Sequence, residues 1–384
     1  MRFEIATATR IIFGAGTLRE IGPLAKELGT TALVVTGRST KRAEPLIGRL
    51  RAQGIGTATL AVGGEPSIET VSEGVALARK EKCDWVVGYG GGSALDAGKA
   101  IAAMLTNEGD VLDYLEVIGR GKNLIKPSAP FVAIPTTAGT GSEVTRNAVL
   151  ASSEHRVKVS LRSPLMLPKI ALVDPELTYD LPPAVTASTG LDALTQVIEP
   201  YVCSRANPMV DAVCVKGIQR AARSLRVAFE SGHNATARED MAAASLFGGF
   251  ALANAGLGAV HGFAGPIGGM FPAPHGAICA ALLPHVMAMN IRALSQRQPS
   301  SGILSRYEHV ARLLTGLADA VPMSGVAWVR QLVHDLQIPP LRQYGISTEH
   351  TAELVEKATH ASSMKANPIV LTREELAETL EAAI

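Results

Sequence analysis

A chain of 384 residues exceeds what one ordinary hydrophobic core can fill and calls for two domains. With 47% apolar and 18% charged residues it is neither disordered nor fibrous. A net charge of +1, built from scattered Lys and Arg, supplies no field for nucleic acid or an anionic membrane, so neither is expected as a partner.

The opening Met1-Arg2-Phe3-Glu4 lacks the basic, apolar and small-residue sections of a signal peptide. Short β-rich runs then alternate with helical patterns. Thr31–Thr36, Thr57–Val62, Trp85–Gly88, Phe131–Ile134 and Ile170–Val173 read as strands, whereas Glu44–Gln53 and Ser67–Lys82 read as amphipathic helices. The alternation predicts a mostly parallel, Rossmann-like α/β sheet with helices on its faces, whose ligands sit at the C-terminal strand ends. After Asp174-Pro175-Glu176 the strand-like runs cease. The prolines of Leu181-Pro182-Pro183 mark a loop, and the expectation is an α/β domain over 1–180 and an all-helical domain over 181–384.

Two loops in the first half have the chemistry to hold phosphates. Gly90-Gly91-Gly92-Ser93 follows a predicted strand and opens a helix, which lets backbone amides approach an anion at a helix N-terminus. Pro135–Glu143 also follows a strand. Apart from Ala138, each residue from Thr136 to Ser142 is a glycine or carries a small hydroxyl. Together the loops favour a dinucleotide.

In the second half, Asp192 and Gln196 share one helix face at i, i+4. Between Met241 and Ile291 there is no Lys, Arg, Asp or Glu, but prolines, glycines, Asn254, His261 and His275 interrupt the run. Buried helices of a core explain it better than a membrane hairpin. A carboxylate with two imidazoles can bind Fe²⁺ or Zn²⁺ and leave a place for a substrate oxygen. Cys83, Cys203, Cys214 and Cys279 lie far apart and form no CxxC pair. Reduced thiols in a cytoplasmic protein are therefore expected, with no disulfide framework and no cysteine-based zinc site.

These segments together resemble the iron-containing (group III) alcohol dehydrogenase family almost end to end. The likeness runs through Thr9–Gly16, Gly90–Ala100, Pro135–Glu143, Gly190–Pro200, His261–Gly269, Pro274–Gly276, Leu282–His285, Asn367-Pro368 and the closing Thr372–Ala383. It implies a dehydroquinate synthase-like fold and hydride transfer between NAD(P)(H) and a small alcohol, aldehyde or ketone, beside a divalent metal, with Fe²⁺ favoured over Zn²⁺. It also implies a homodimer. Gly91, Gly92, Ser93 and Asp96 would line the dinucleotide site, with Thr136, Thr137 and Ser142 nearer the nicotinamide and Lys158 near its ribose. Asp192, His261 and His275 would bind the metal and serve catalysis.

Three positions depart from the family pattern. Gln196 stands where relatives carry a histidine ligand, which makes it a neutral, harder donor and the weakest member of the metal set. Gly265 replaces a further histidine, enlarging the pocket and leaving proton exchange to water or a ribose hydroxyl. Thr36-Gly37-Arg38-Ser39-Thr40 lacks the acidic residue with which NAD-preferring members bind the adenosine ribose. Gly37 leaves room for a 2′-phosphate that Arg38 or Ser39 would bind, so NADP is expected ahead of NAD. The loss of two histidines also admits a metal-independent reductase of the maleylacetate reductase kind, or a dinucleotide-binding protein without catalysis.

Overall fold

The computed structural model describes residues 2–152, 154–155 and 157–384. They form two compact units. One comprises Ile5–Thr137 and Gly141–Thr178, and the other Ala138–Thr140 and Tyr179–Ile384 with the N-terminal residues up to Glu4.

The first unit runs β1 (Arg10–Phe13), α1 (Ile21–Ala25), β2 (Thr31–Thr36), α2 (Glu44–Arg51), β3 (Gly56–Ala61), α3 (Ile68–Lys80), β4 (Trp85–Gly90) and α4 (Gly92–Thr106). It continues with α5 (Val111–Tyr114), β5 (Phe131–Pro135), β6 (Asn147–Ser152), β7 (Val157–Arg162) and β8 (Ile170–Val173). Six strands form one parallel sheet in the order β1-β8-β5-β4-β2-β3. Strands β4, β5 and β8 are buried at every position, as continuous apolar runs covered on both faces should be. β3, at an edge, has no buried residue and is threonine-rich.

β6 and β7 pair as a separate antiparallel hairpin. Helix α3 is capped by the Ser67 hydroxyl, which accepts from Thr70 N–H at 3.2 Å. Helix α4 packs close on the sheet because Gly98 has no side chain: a Cβ there would stand 2.7 Å from the Phe131 ring.

Between β5 and β6 the chain is fastened from within. Lys99 of α4 is fully buried, and its ammonium donates to Ser142 O at 2.8 Å, Thr145 Oγ1 at 2.8 Å and Asn147 O at 2.6 Å. Glu143 is buried alongside. Burial pushes its carboxyl up to about 7, with its own backbone amide and the Lys99 charge opposing the shift. A folded-state value above the unfolded one means that Glu143's contribution is intact below the ordinary carboxylate range. It is lost as pH rises through about 7. Glu143→Gln is therefore expected to leave the melting temperature nearly unchanged near about pH 4 and to raise it near about pH 8, where the native glutamate costs about 3 kcal/mol. Thermal unfolding of the two proteins at both pH values checks this, and an equal effect at both would refute it.

The second unit is helical throughout: α6 (Pro183–Val202), α7 (Pro208–Glu230), α8 (Ala235–Asn254), α9 (Ala259–Met270), α10 (His275–Arg297), α11 (Gly302–Thr315), α12 (Pro322–Asp335), α13 (Thr351–His360) and α14 (Arg373–Glu381). The uncharged stretch forms the end of α8, all of α9 and most of α10. The α8–α9 pair bends by 96° at its break, and the apolar window of α10 is 83% buried against its neighbours. That is how a core helix behaves. Asp240 of α8 is buried and accepts from Arg220, Arg223 and the Ser224 hydroxyl, pinning α8 to α7. Asn207, Asn234 and Ser301 cap α7, α8 and α11.

Candidate active site: a donor cluster and a glycine-lined sheet edge

In the α/β unit, β2 leads outward to β3, whereas β4 returns to the other side of β2. The order of the strands thus reverses between β2 and β4, where open α/β sheets bind ligands beyond their C-terminal ends. The loops after these strands meet: a Cβ on Gly90 would lie 3.2 Å from Gly37 N. Thr136 N–H donates to Gly90 O at 2.9 Å, and a Cβ on Gly91 would come within 3.3 Å of the Thr137 side chain. Gly37, Gly91, Gly92, Ser93, Thr136 and Thr137 therefore share one edge of the sheet. Gly91 is extended and caps α4 with no side chain, and Ala94 N–H donates to its carbonyl at 3.0 Å, which leaves the Gly92 and Ser93 amides of a 15-residue helix to face an anion.

The remaining residues of that set have partners of their own. Asp96 accepts the Ser142 hydroxyl at 2.5 Å and Val149 N–H at 3.0 Å, so it ties the loop after β5 to β6. Lys158 of β7 pairs with Glu65 at 3.0 Å. Arg38 donates through Nε and Nη2 to Gly63 O at 3.3 and 2.9 Å. Around Gly37 the space is open for at least 4 Å where a Cβ would stand, and Ser39 precedes a short helical turn without capping it.

In the helical unit, three helices bring Asp192 (α6), His261 (α9) and His275 (α10) together. Asp192 Oδ1 lies 3.4 Å from His261 Nε2 and 3.8 Å from His275 Nε2. Cys279, one turn along α10 from His275, joins them. Its Sγ is 3.8 Å from His261 Nε2 and 3.7 Å from His275 Nε2, and one donor atom from each of the four lies within 4.8 Å of the others.

Glu199 fixes how His261 is presented. It sits two turns after Asp192 on α6, and its Oε2 accepts from His261 Nδ1 at 2.7 Å while Oε1 accepts Val260 N–H at 2.8 Å. The Nδ1 proton held by the carboxylate leaves the Nε2 lone pair facing Asp192 and Cys279. Asn367 completes the support by accepting Ala259 N–H at 3.0 Å, at the start of the helix that carries His261.

Charges in the cluster are mutually dependent. Burial alone would neutralise each imidazole, yet the neighbouring Cys279 and Asp192 hold His261 well above the usual histidine range and His275 at about 9. Burial likewise opposes ionisation of Asp192 and Cys279, and the two histidines overcome it and lower both. The positive charge that protonated imidazoles bring to Asp192 is one that a divalent cation would supply equally. Asp192 Oδ1 is buried and has no hydrogen-bond partner, although it faces three possible donors. A buried carboxylate oxygen with that vacancy, an oriented imidazole and a nitrogen–sulfur–oxygen donor set fit a divalent metal.

Gln196 lies on the same helix face as Asp192 but has its own partner: its Nε2 donates to Gly139 O at 3.0 Å. Gly265 opens onto free space, with no atom within 4 Å of where its Cβ would be. Sequence reasoning missed Cys279 and Glu199. No cysteine-based zinc site was expected from the cysteine spacing; the structure places Cys279 beside the two imidazoles, and the available signal for it was its i, i+4 spacing from His275.

Known proteins align along the whole length. The family model described as iron-containing alcohol dehydrogenase matches residues 8–175, and the one for the family's C-terminal part matches residues 186–384. The chain is 36% identical to the 1,3-propanediol dehydrogenase of Klebsiella pneumoniae, over 97% of this chain and 96% of that protein. It is 35% identical to the choline dehydrogenase of Bacillus subtilis (strain 168), over 95% and 90% respectively. A crystal structure of a 1,3-propanediol oxidoreductase superposes with a TM-score of 0.92 at 34% identity, covering 100% of both chains.

Proposed function

The chain belongs to the iron-containing alcohol dehydrogenase family, and from that premise we propose how its own residues perform the family's reaction. It is an oxidoreductase that transfers a hydride between a nicotinamide dinucleotide and a small alcohol or the corresponding aldehyde or ketone. The observation that carries the metal-dependent reading is the orphaned Asp192 oxygen facing His261 and His275.

Asp192, His261 and His275 hold a divalent metal, Fe²⁺ or Zn²⁺. When bound, such an ion supplies Lewis-acid stabilisation to the alcohol or carbonyl oxygen. Glu199 keeps the Nδ1 proton of His261 in place, so the ring offers Nε2 to the site. The α4 amides beyond Gly91 take the pyrophosphate, with Gly92 and Ser93 in the same turn and Thr136 and Thr137 beside it. Asp96 and Ser142 act by keeping that loop in shape, and Lys158 contributes a positive charge from β7. Gly265 leaves the substrate a wider space than a histidine would, and water or a ribose hydroxyl carries the proton instead.

We favour NADP(H). Residues 37–39 offer no carboxylate to repel a 2′-phosphate, the space at Gly37 is free, and Arg38 needs only to leave the Gly63 carbonyl to reach one. A homodimer is part of the proposal and is supported by the open edge of β1, where Ile11 and Phe13 are exposed. Cytoplasmic location is supported by the free state of all four cysteines.

The test is oxidation of NADPH and of NADH by purified protein against a panel of short aldehydes and ketones. Turnover with a preference for NADPH of at least about tenfold is expected, since each tenfold corresponds to about 1.4 kcal/mol and a charge-assisted phosphate contact supplies that much. Arg38→Ala should erase the preference without changing the NADH rate. Equal rates with both dinucleotides in the native enzyme would overturn the assignment of NADP(H).

A further inference from the structure

Resting on the metal-dependent reading above, we propose that the fourth protein ligand is the thiolate of Cys279 in preference to the neutral amide oxygen of Gln196. Cys279 is fully buried on α10, one turn beyond His275 on the same helix face. Its sulfur and the Asp192 carboxylate both flank the two imidazole nitrogens.

The spacing is that of a four-coordinate site. Metal–nitrogen and metal–oxygen bonds of about 2.0–2.1 Å and a metal–sulfur bond of about 2.3 Å give tetrahedron edges of roughly 3.3 Å for N–O and roughly 3.6 Å for S–N. The corresponding separations are 3.4 and 3.8 Å from Asp192 Oδ1 to the two nitrogens, and 3.8 and 3.7 Å from Cys279 Sγ to the same nitrogens. These four separations lie within about half an ångström of the ideal edges, and all four donors lie within 4.8 Å of one another.

Gln196 is the weaker candidate. Its amide nitrogen donates to the Gly139 carbonyl at 3.0 Å, which leaves only a neutral amide oxygen to offer a metal, a poorer donor for a divalent ion than a thiolate. Protons held by the cluster's ligands pass to solvent as the metal binds.

A thiolate also changes which ion the site prefers. Sulfur is a softer donor than the imidazole it stands in for and favours Zn²⁺ over Fe²⁺. Zinc is therefore the metal expected in protein purified without chelator and measured by elemental analysis.

The deciding experiment loads the full-length protein with cobalt(II) and records its spectrum, with cobalt content measured separately. The native protein should take up cobalt and show a near-ultraviolet sulfur-to-cobalt charge-transfer band. Cys279→Ser should bind cobalt without the band and lose at least about tenfold in zinc affinity. Gln196→Ala and Cys83→Ser should keep it. Bound cobalt without a band, or a band that survives Cys279→Ser, overturns the thiolate ligand and leaves the function reading standing. No cobalt uptake by native protein defeats both. X-ray absorption of the zinc-loaded native protein needs no variant to fold: one sulfur neighbour at about 2.3 Å is expected, and a shell of nitrogen and oxygen alone refutes the proposal.

Discussion

Asp192→Ala is expected to reduce turnover by at least about 10³-fold while dinucleotide binding, followed by NADPH fluorescence, stays close to native. Lewis-acid activation is worth several kcal/mol of barrier, and each 1.4 kcal/mol or so is a factor of ten. Asp192 is 1% exposed, and the neighbours of its Oδ1 are the cluster's own members: His261, His275 and Cys279. Removing the carboxylate therefore strikes metal retention directly. Gly91, Gly92, Ser93, Thr136 and Thr137 belong to the other folded unit, where Asp96 and Lys99 fasten the chain around Ser142. Asp192→Asn separates shape from charge. It preserves the volume in α6 but neither matches a cation nor holds the imidazoles charged, so it should resemble alanine in activity. Native-like turnover by either variant after exhaustive metal removal would refute the metal's role.

The two units were legible in the sequence to different depths. Strands β2, β4, β5 and β8 announce themselves because a strand covered on both faces must be apolar along its length, and Trp85–Val87, Phe131–Ile134 and Ile170–Val173 are. The β6–β7 hairpin carries a different signature, which the sequence reading passed over: Val157-Lys158-Val159-Ser160-Leu161-Arg162 alternates apolar and polar residues, with Val159 and Leu161 buried.

The site divides in the same way. Asp192, His261 and His275 stand out because ionisable or ligating side chains are conspicuous in stretches stripped of charge. Glu199 and Cys279 are ordinary in sequence. Only the packing of α6, α9 and α10 turns the first into a clamp on His261 and the second into a neighbour of both imidazoles. The Gln196–Gly139 hydrogen bond joins residues 57 positions apart and had no signal in the chain.

Lys99 is the other residue whose role emerges only on folding, and Lys99→Met is expected to cost about 3–5 kcal/mol of stability. An ammonium with no exposed surface is expensive to bury; burial indeed lowers its pKa, while Asp96 at 3.4 Å and Glu143 oppose that shift. Three acceptors offset the cost, and all lie in the segment from Ser142 to Asn147. Methionine fills similar volume but donates nothing, so the two carbonyls and the threonine hydroxyl lose charge-assisted partners in a dry interior. Asp96 loses a counter-ion at the same time, although its bonds from Ser142 and Val149 remain. The damage should reach function through that loop. Thr136 and Thr137 lie in the same connection between β5 and β6, a few residues before it, so dinucleotide affinity should fall together with stability, while metal content, set in the helical unit, should not. Chemical denaturation, NADPH titration and elemental analysis of the same preparation measure the three. A fully stable Lys99→Met protein would show that the buried ammonium is no fastening at all. A loss of metal equal to the loss of dinucleotide affinity would show that the substitution is not local to the α/β unit.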